Sequence, residues 1–273
     1  MSDAVLGADE VAAAAACLLE AERRGEQTHP LSLAHPGMTL DDAYAVQGAL
    51  VRAKLDAGRR IVGRKIGLTS RAMQRALGIT TPDSGVLFDD MAFESGATVP
   101  RGSFIEPRVE AEIAFVMGTA LAGADVTRDD VLGATESVAA SLEILDTRIV
   151  RRDAATGRAR TIVDTVSDNA ANAGVVLGDA RHAPGAFDLR WVGAIVRRGG
   201  TVEETGLGAG VLDDPVTSML WLVHRLARYG DGLRAGDVVL SGSFVRPVEA
   251  PPGSRVEADF GPFGSVRIDF EGG

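Results

Sequence analysis

Glu110 and Glu112 stand two residues apart in Val109-Glu-Ala-Glu-Ile-Ala-Phe115, a stretch that alternates apolar and acidic positions. A strand sends residues i and i+2 to one face, so both carboxylates project the same way, about 7 Å apart along the chain. Anions held side by side raise each other's pKa unless a cation lies between them. The pair is therefore either a solvated strand face or part of a metal site. Glu143 tilts that choice, because it lies among Leu142, Ile144 and Leu145. A lone carboxylate is costly to bury, whereas a paired or metal-bound one need not be. Two further residues have proton-handling chemistry. Lys65 sits inside the apolar, glycine-bounded run Val62-Gly-Arg-Lys-Ile-Gly-Leu68, as either an edge residue with its head in water or a placed cation. Asp83, in Pro82-Asp-Ser-Gly85, reads as a turn-former that bonds its own backbone.

The elements that must position these groups follow from periodicity and punctuation. Asp9 to Arg24 is expected to be an alanine-rich helix closing at Gly25. Pro30 and Pro36 mark a loop, and Thr39-Leu-Asp-Asp42 opens a second helix that ends at Gly58. These helices form an N-terminal region over residues 1–60, ahead of a second region over residues 61–273. Ser70 caps a short helix ending at Gly78, and Thr127-Arg-Asp-Asp130 starts another. Val138 to Val150 reads as a strand carrying Glu143 and Asp146, and Arg151 to Arg160 as a charged loop. The polar cluster Asp164 to Asn172 precedes a strand over Ala173 to Leu177. Gly199-Gly200 is a hairpin signal, and Asp214-Pro215 starts a helix on which His224 reads as a packing residue. Short strands with few helices between them predict an α+β fold with a curled mixed sheet.

Bulk properties exclude several classes. The 273 residues are 45% hydrophobic and 24% charged, with a net charge of -10 and no basic cluster, which argues against nucleic acid as a partner. The single cysteine, Cys17, rules out an intrachain disulfide and fits a reducing cytoplasm. Val11 to Leu19 is too short, and too acidic at its flanks, for a signal peptide or a membrane span. No dinucleotide or phosphate-loop motif and no Gly-x-Ser-x-Gly elbow is present.

Several blocks together resemble the 2-oxo-alkenoate hydratases of aromatic catabolism, within the fumarylacetoacetate hydrolase superfamily. They are Gly63 to Ser70, Pro82 to Gly85, Pro107 to Ala114, Leu142 to Asp146, Asp164 to Asn169, Gly242 to Pro247 and Phe260 to Ser265, in family order. The loop Arg151 to Arg160, Ser167 to Gly174 and Glu203 to Gly206 are most similar to the branch acting on 2-oxohept-4-ene-1,7-dioate. Sister activities are 2-oxopent-4-enoate hydration and 4-oxalocrotonate decarboxylation. Val245 departs from the threonine common at that position. The resemblance implies the superfamily's curled sheet, or β-roll, and Mg²⁺ or Mn²⁺ held by Glu110, Glu112 and Glu143. It also implies proton transfer by Lys65, with Asp83 either orienting it or handling the proton at the far carbon, and contacts from Asp168, Asn169 and Ser243 to substrate oxygens or a metal-bound water. A lysine beside a metal in an apolar strand is expected to have a lowered pKa. Arg64, Arg148 and Arg246 are candidates for a distal carboxylate. A cytoplasmic homo-oligomer, built on pentamers, is implied as well; the rival of another class is a non-catalytic partner subunit.

Overall fold

The computed structural model describes the backbone of residues 4–273 and all their side chains except those of Met73, Ala76 and Leu77. Three helices come first: α1 (Ala8–Arg24), α2 (Leu31–Ala34) and α3 (Leu40–Asp56). Gly25 takes the left-handed conformation that ends α1. Thr39 and Asp42 bond each other's backbone N–H at the start of α3, satisfying donors that have no partner inside the helix. Then follow β1 (Ile61–Gly67), α4 (Arg71–Leu77), β2 (Asp83–Phe88), β3 (Ala92–Glu94), β4 (Thr98–Val99) and β5 (Arg108–Met117). The middle of the chain holds α5 (Arg128–Ala134), β6 (Thr135–Leu145), α6 (Ile162–Ser167) and β7 (Asn172–Leu177). It closes with β8 (Gly193–Arg198), β9 (Thr201–Leu207), α7 (Pro215–Ala227), β10 (Val238–Ser243), β11 (Val248–Glu249), β12 (Arg255–Asp259) and β13 (Ser265–Phe270).

Two sheets carry the α+β architecture expected from the sequence. The larger has the order β2-β1-β10-β5-β6-β7-β3, with β11 also on β5; the smaller runs β4-β13-β12-β8-β9. β1 pairs parallel with β10 and β3 with β7, whereas β5 and β6 pair antiparallel over their length. Val109, Ala111, Ile113 and Phe115 of β5 face the main core, shared with Val256, Ile268 and, from α7, Met219 and Leu222. The even-numbered residues of β5 face the other way, where Ala114 meets Leu87, Val175 and Leu240. The N-terminal helices close a separate apolar cluster that includes Ile149 and Val166 from the rest of the chain.

Four local expectations are revised. The proline-marked loop contains α2. Asp83 is not in a turn: β2 begins there, because Gly67 of β1 offers it a strand partner. β6 starts at Thr135 and stops at Leu145, leaving Asp146 outside to accept hydrogen bonds from the N–H groups of Ile105 and Glu106. The polar cluster before β7 contains α6 and a left-handed turn. The outer edge of β2 is covered by side chains rather than left open. Tyr44 Oη accepts from Ser84 N, Gln47 donates to Ser84 O, and the Asn169 amide bonds both Val86 N and Val86 O.

Candidate active site

Register builds the acidic cluster. Glu110 lies directly across from Glu143, and Glu112 across from Ser141 on one side and Ser243 on the other. All three carboxylates therefore leave the sheet on the face opposite the main core, with one oxygen of each within 4.8 Å of the others. Gly242 N donates to Glu112 Oε2 at 2.7 Å, and Asn172 Nδ2 donates to Glu143 Oε1 at 2.6 Å. Lys65 Nζ lies 3.4 Å from Glu143 Oε1 and donates to Ala170 O at 3.2 Å.

Burial governs the electrostatics. Loss of water, then repulsion from Glu143, pushes the Glu110 carboxyl up to about 8, and the same two causes hold Glu112 well above the usual range. Burial also raises Glu143, against the pull of Lys65 and Asn172. Burial alone would lower Lys65, but Glu143, Asp83, Glu110 and Glu112 outweigh it and hold the ammonium above its ordinary pKa. The lowering expected for Lys65 was argued for a lysine beside a bound cation; without the ion these four carboxylates set the direction.

Three of the four buried side-chain polar atoms without a hydrogen-bond partner among the described residues belong to this site: Glu143 Oε2, Asp83 Oδ1 and Asn172 Oδ1. Buried polar atoms are ordinarily satisfied, so three unpaired acceptors together are open to a cation or a water. The donor set is all oxygen from the three glutamates, which is what a hard divalent cation takes. The residues present therefore fit such an ion.

Lys65 is aimed by an unusual backbone. Asn169, Ala170 and Ala171 all have left-handed φ, at 51°, 55° and 57°. Three consecutive non-glycine residues there cost about 1–2 kcal/mol each. The turn is held from both ends. Arg148 Nη2 donates to Asp168 O at 2.7 Å and Nη1 to Asn172 O at 3.3 Å, while Nε donates to Asp168 Oδ1 at 2.5 Å. The Asn169 amide fastens the turn to β2, and Asn172 fastens it to Glu143.

The expected site residues are thus distributed unevenly. Glu110, Glu112, Glu143, Lys65 and Asp83 converge on one face. Asp168 is fully buried and its carboxylate is engaged by Arg148, while both ends of the Asn169 amide are engaged by Val86. Ser243 Oγ donates to Val245 O at 2.8 Å. Of the candidate arginines, Arg148 bonds Asp168, Arg64 pairs with Asp231, and exposed Arg246 pairs with Glu204. Asn172, absent from the sequence expectations, joins the cluster. Its only signal was its place at the end of a polar run entering an apolar strand.

Residues 69–271 match the fumarylacetoacetate hydrolase C-terminal family, and the chain belongs to that family. It is 47% identical to a 2-oxo-hept-4-ene-1,7-dioate hydratase of Escherichia coli over 251 residues, covering 92% of this chain and 94% of the relative. It is 41% identical to a 2-keto-4-pentenoate hydratase of Paraburkholderia xenovorans (strain LB400), covering 94% of each. Among solved structures, 4-oxalocrotonate decarboxylase from Pseudomonas putida G7, complexed with magnesium and adipate, superposes with a TM-score of 0.91 at 31% identity, covering 98% of this chain and 100% of that one. The family and fold expected from the motifs are borne out. No helix among the described residues is long and apolar enough to cross a membrane.

Proposed function

We propose that this protein is a divalent-metal-dependent hydratase that adds water to a 2-oxo-alkenoate in aromatic catabolism. The substrate is 2-oxohept-4-ene-1,7-dioate and the product 4-hydroxy-2-oxoheptanedioate. The observation that carries this reading is the meeting of Glu110, Glu112 and Glu143 on one buried face beside atoms that lack partners, in a chain 47% identical to a named hydratase. Those three glutamates would hold Mg²⁺ or Mn²⁺, which when bound supplies Lewis acidity to a 2-oxo acid.

The remaining steps fall to side chains of the protein. Lys65 Nζ, held between Glu143 and Ala170 O, keeps a proton beside the reacting carbons and gives it up as the double bond shifts. Asp83, whose Oδ1 has no partner, takes or returns the second proton. Asn172 holds Glu143 in place through Nδ2. Asp168 and Asn169 act on the substrate indirectly, by holding the turn that aims Lys65. Ser243 shapes the backbone across from Glu112.

The test is a panel of 2-oxo-alkenoates with and without a distal carboxylate, each assayed with Mg²⁺ for hydration and for CO₂ release. Hydration without CO₂ is the expected result, and no turnover of any member would refute the reading. The likeness to 4-oxalocrotonate decarboxylase supports a second reading, decarboxylation at the same site, which CO₂ release from 4-oxalocrotonate would favour. We further infer a cytoplasmic homo-oligomer built on pentamers. An exposed Cys17 and the apolar patch of Trp191, Ile195 and Leu207 support it, and sedimentation velocity checks the subunit count.

A further inference from the structure

The seven-carbon substrate proposed above has a second carboxylate, and none of the three arginines singled out from the sequence is free to receive it. Arg148 is spent on Asp168, and Arg64 and Arg246 each have a carboxylate partner. A different cation borders the site. Asp83 and Gly85 form part of the wall of a cavity of about 960 Å³, and the partly buried Arg225 of α7 lines the same cavity. Asp83 is thus shared between the two regions. One side of its carboxylate turns toward Gly67 and Lys65, and its residue lines the cavity. Burial raises Asp83, while Lys65, then the Gly67 backbone, and then Arg225 pull against that rise.

Arg225 is held in a way that leaves its donors available. Its guanidinium lies 3.6 Å from the centre of the Tyr44 ring and 5.3 Å from that of Tyr229. Stacking uses the flat face of the group and leaves the N–H donors, which lie in its plane, unspent. Among the described residues no carboxylate pairs with Arg225. Tyr44 is fixed in turn, since its hydroxyl accepts from Ser84 N on β2. Arg228, also on the cavity, is exposed and has neither a carboxylate partner nor a stacked ring among the described residues.

We propose that Arg225, stacked on Tyr44, binds the distal carboxylate of a dicarboxylic 2-oxo acid and makes the enzyme selective for diacids. This rests on the hydratase reading. Asp83 then joins the two regions: Lys65, which pairs with Glu143 of the glutamate cluster, lies on one side of it, and Arg225 lines the cavity with it on the other. A planar, pre-oriented guanidinium suits bidentate capture of a carboxylate, and the ordering of its side chain is already complete.

The experiment uses two saturated, unreactive acids that differ only at the far end, 2-oxoheptanedioate and 2-oxoheptanoate. Each is titrated calorimetrically into Mg²⁺-loaded protein. Wild type is expected to bind the diacid about 30- to 100-fold more tightly. Arg225→Gln should abolish that preference with monoacid affinity kept within about twofold, Arg225→Lys should retain part of it, and Arg228→Gln should retain all of it. In turnover, Arg225→Gln should raise KM for the seven-carbon diacid far more than KM for 2-oxopent-4-enoate. Equal affinity of wild type for the two acids would overturn the proposal, as would a loss in Arg225→Gln that affects both acids alike. Hydration of 2-oxopent-4-enoate by wild type that does not prefer the diacid would overturn this assignment and leave the hydratase reading standing. Absence of any hydration would remove both.

Discussion

Gly67→Ala is the sharpest steric test of how the site is built. Gly67 ends β1 directly across from Asp83. A Cβ added there would sit 2.2 Å from Asp83 Oδ1 and 2.9 Å from Lys65 Nζ, where ordinary contact begins at 3.4 Å. The Gly67 backbone is not in the left-handed region, so alanine adds no backbone strain. The cost is the collision alone. The Asp83 carboxylate must retreat by about 1 Å, and it is 2% exposed with little room to do so. Overpacking of this kind destabilises by about 1–3 kcal/mol, of which alanine's lower chain entropy returns about 0.5–1 kcal/mol. A displacement of about 1 Å in a proton-transfer group lowers turnover about 100-fold, or about 2.7 kcal/mol of barrier. The new methyl has no glutamate among its nearest neighbours, so Mg²⁺ affinity should stay within about twofold. Steady-state kinetics, urea unfolding and Mg²⁺ calorimetry on Gly67→Ala read the three quantities separately. A folded variant with wild-type kcat would refute the placement of Lys65 and Asp83 argued here. A parallel collapse of metal affinity would refute the claim that the damage stays on their side of the site.

Metal-free protein should lose stability as pH rises from about 4.5 to about 8, because the folded state holds a proton on Glu110 that the unfolded chain has released. That contribution is full below about 4.5 and reaches at most about 5 kcal/mol across the window; urea unfolding in EDTA at several pH values measures it, and a flat or rising profile would contradict it. Glu110→Gln should make the profile shallower, with the raised Glu112 still contributing, weaken Mg²⁺ binding and abolish turnover while the circular dichroism spectrum is retained. EDTA treatment of wild type should abolish hydration and added Mg²⁺ restore it; full activity without metal would end the metal role. Arg148→Met should destabilise by about 3–5 kcal/mol, because it strands the fully buried Asp168 carboxylate. The double variant with Asp168→Asn should recover part of that loss in urea unfolding, and strict additivity would show that the pair is not coupled.

Much of the frame was legible in the sequence because it rests on interactions a few residues apart. The capping boxes at Thr39 and Thr127, the left-handed glycine after α1 and the hairpin at Gly199-Gly200 all fall where short-range geometry puts them. So does the common face of Glu110 and Glu112, which strand alternation dictates. The family blocks added the expectation that Glu143 joins them. What the chain could not declare locally was register. That Glu110 faces Glu143, and not a residue one step away, depends on pairing between β5 and β6, and a slip of one position would turn an acid to the other face. Pro82-Asp-Ser-Gly85 has turn chemistry, yet Gly67 recruits Asp83 into a strand from far along the chain. The left-handed path of Asn169 to Ala171 runs against local preference and exists only because Arg148, Asp168 and β2 hold it. Long-range packing also decided which arginines were already engaged and which one stacks on Tyr44 at the cavity that Asp83 lines. Pairing across a fold is a property of distance in space, and side chains alone do not carry it.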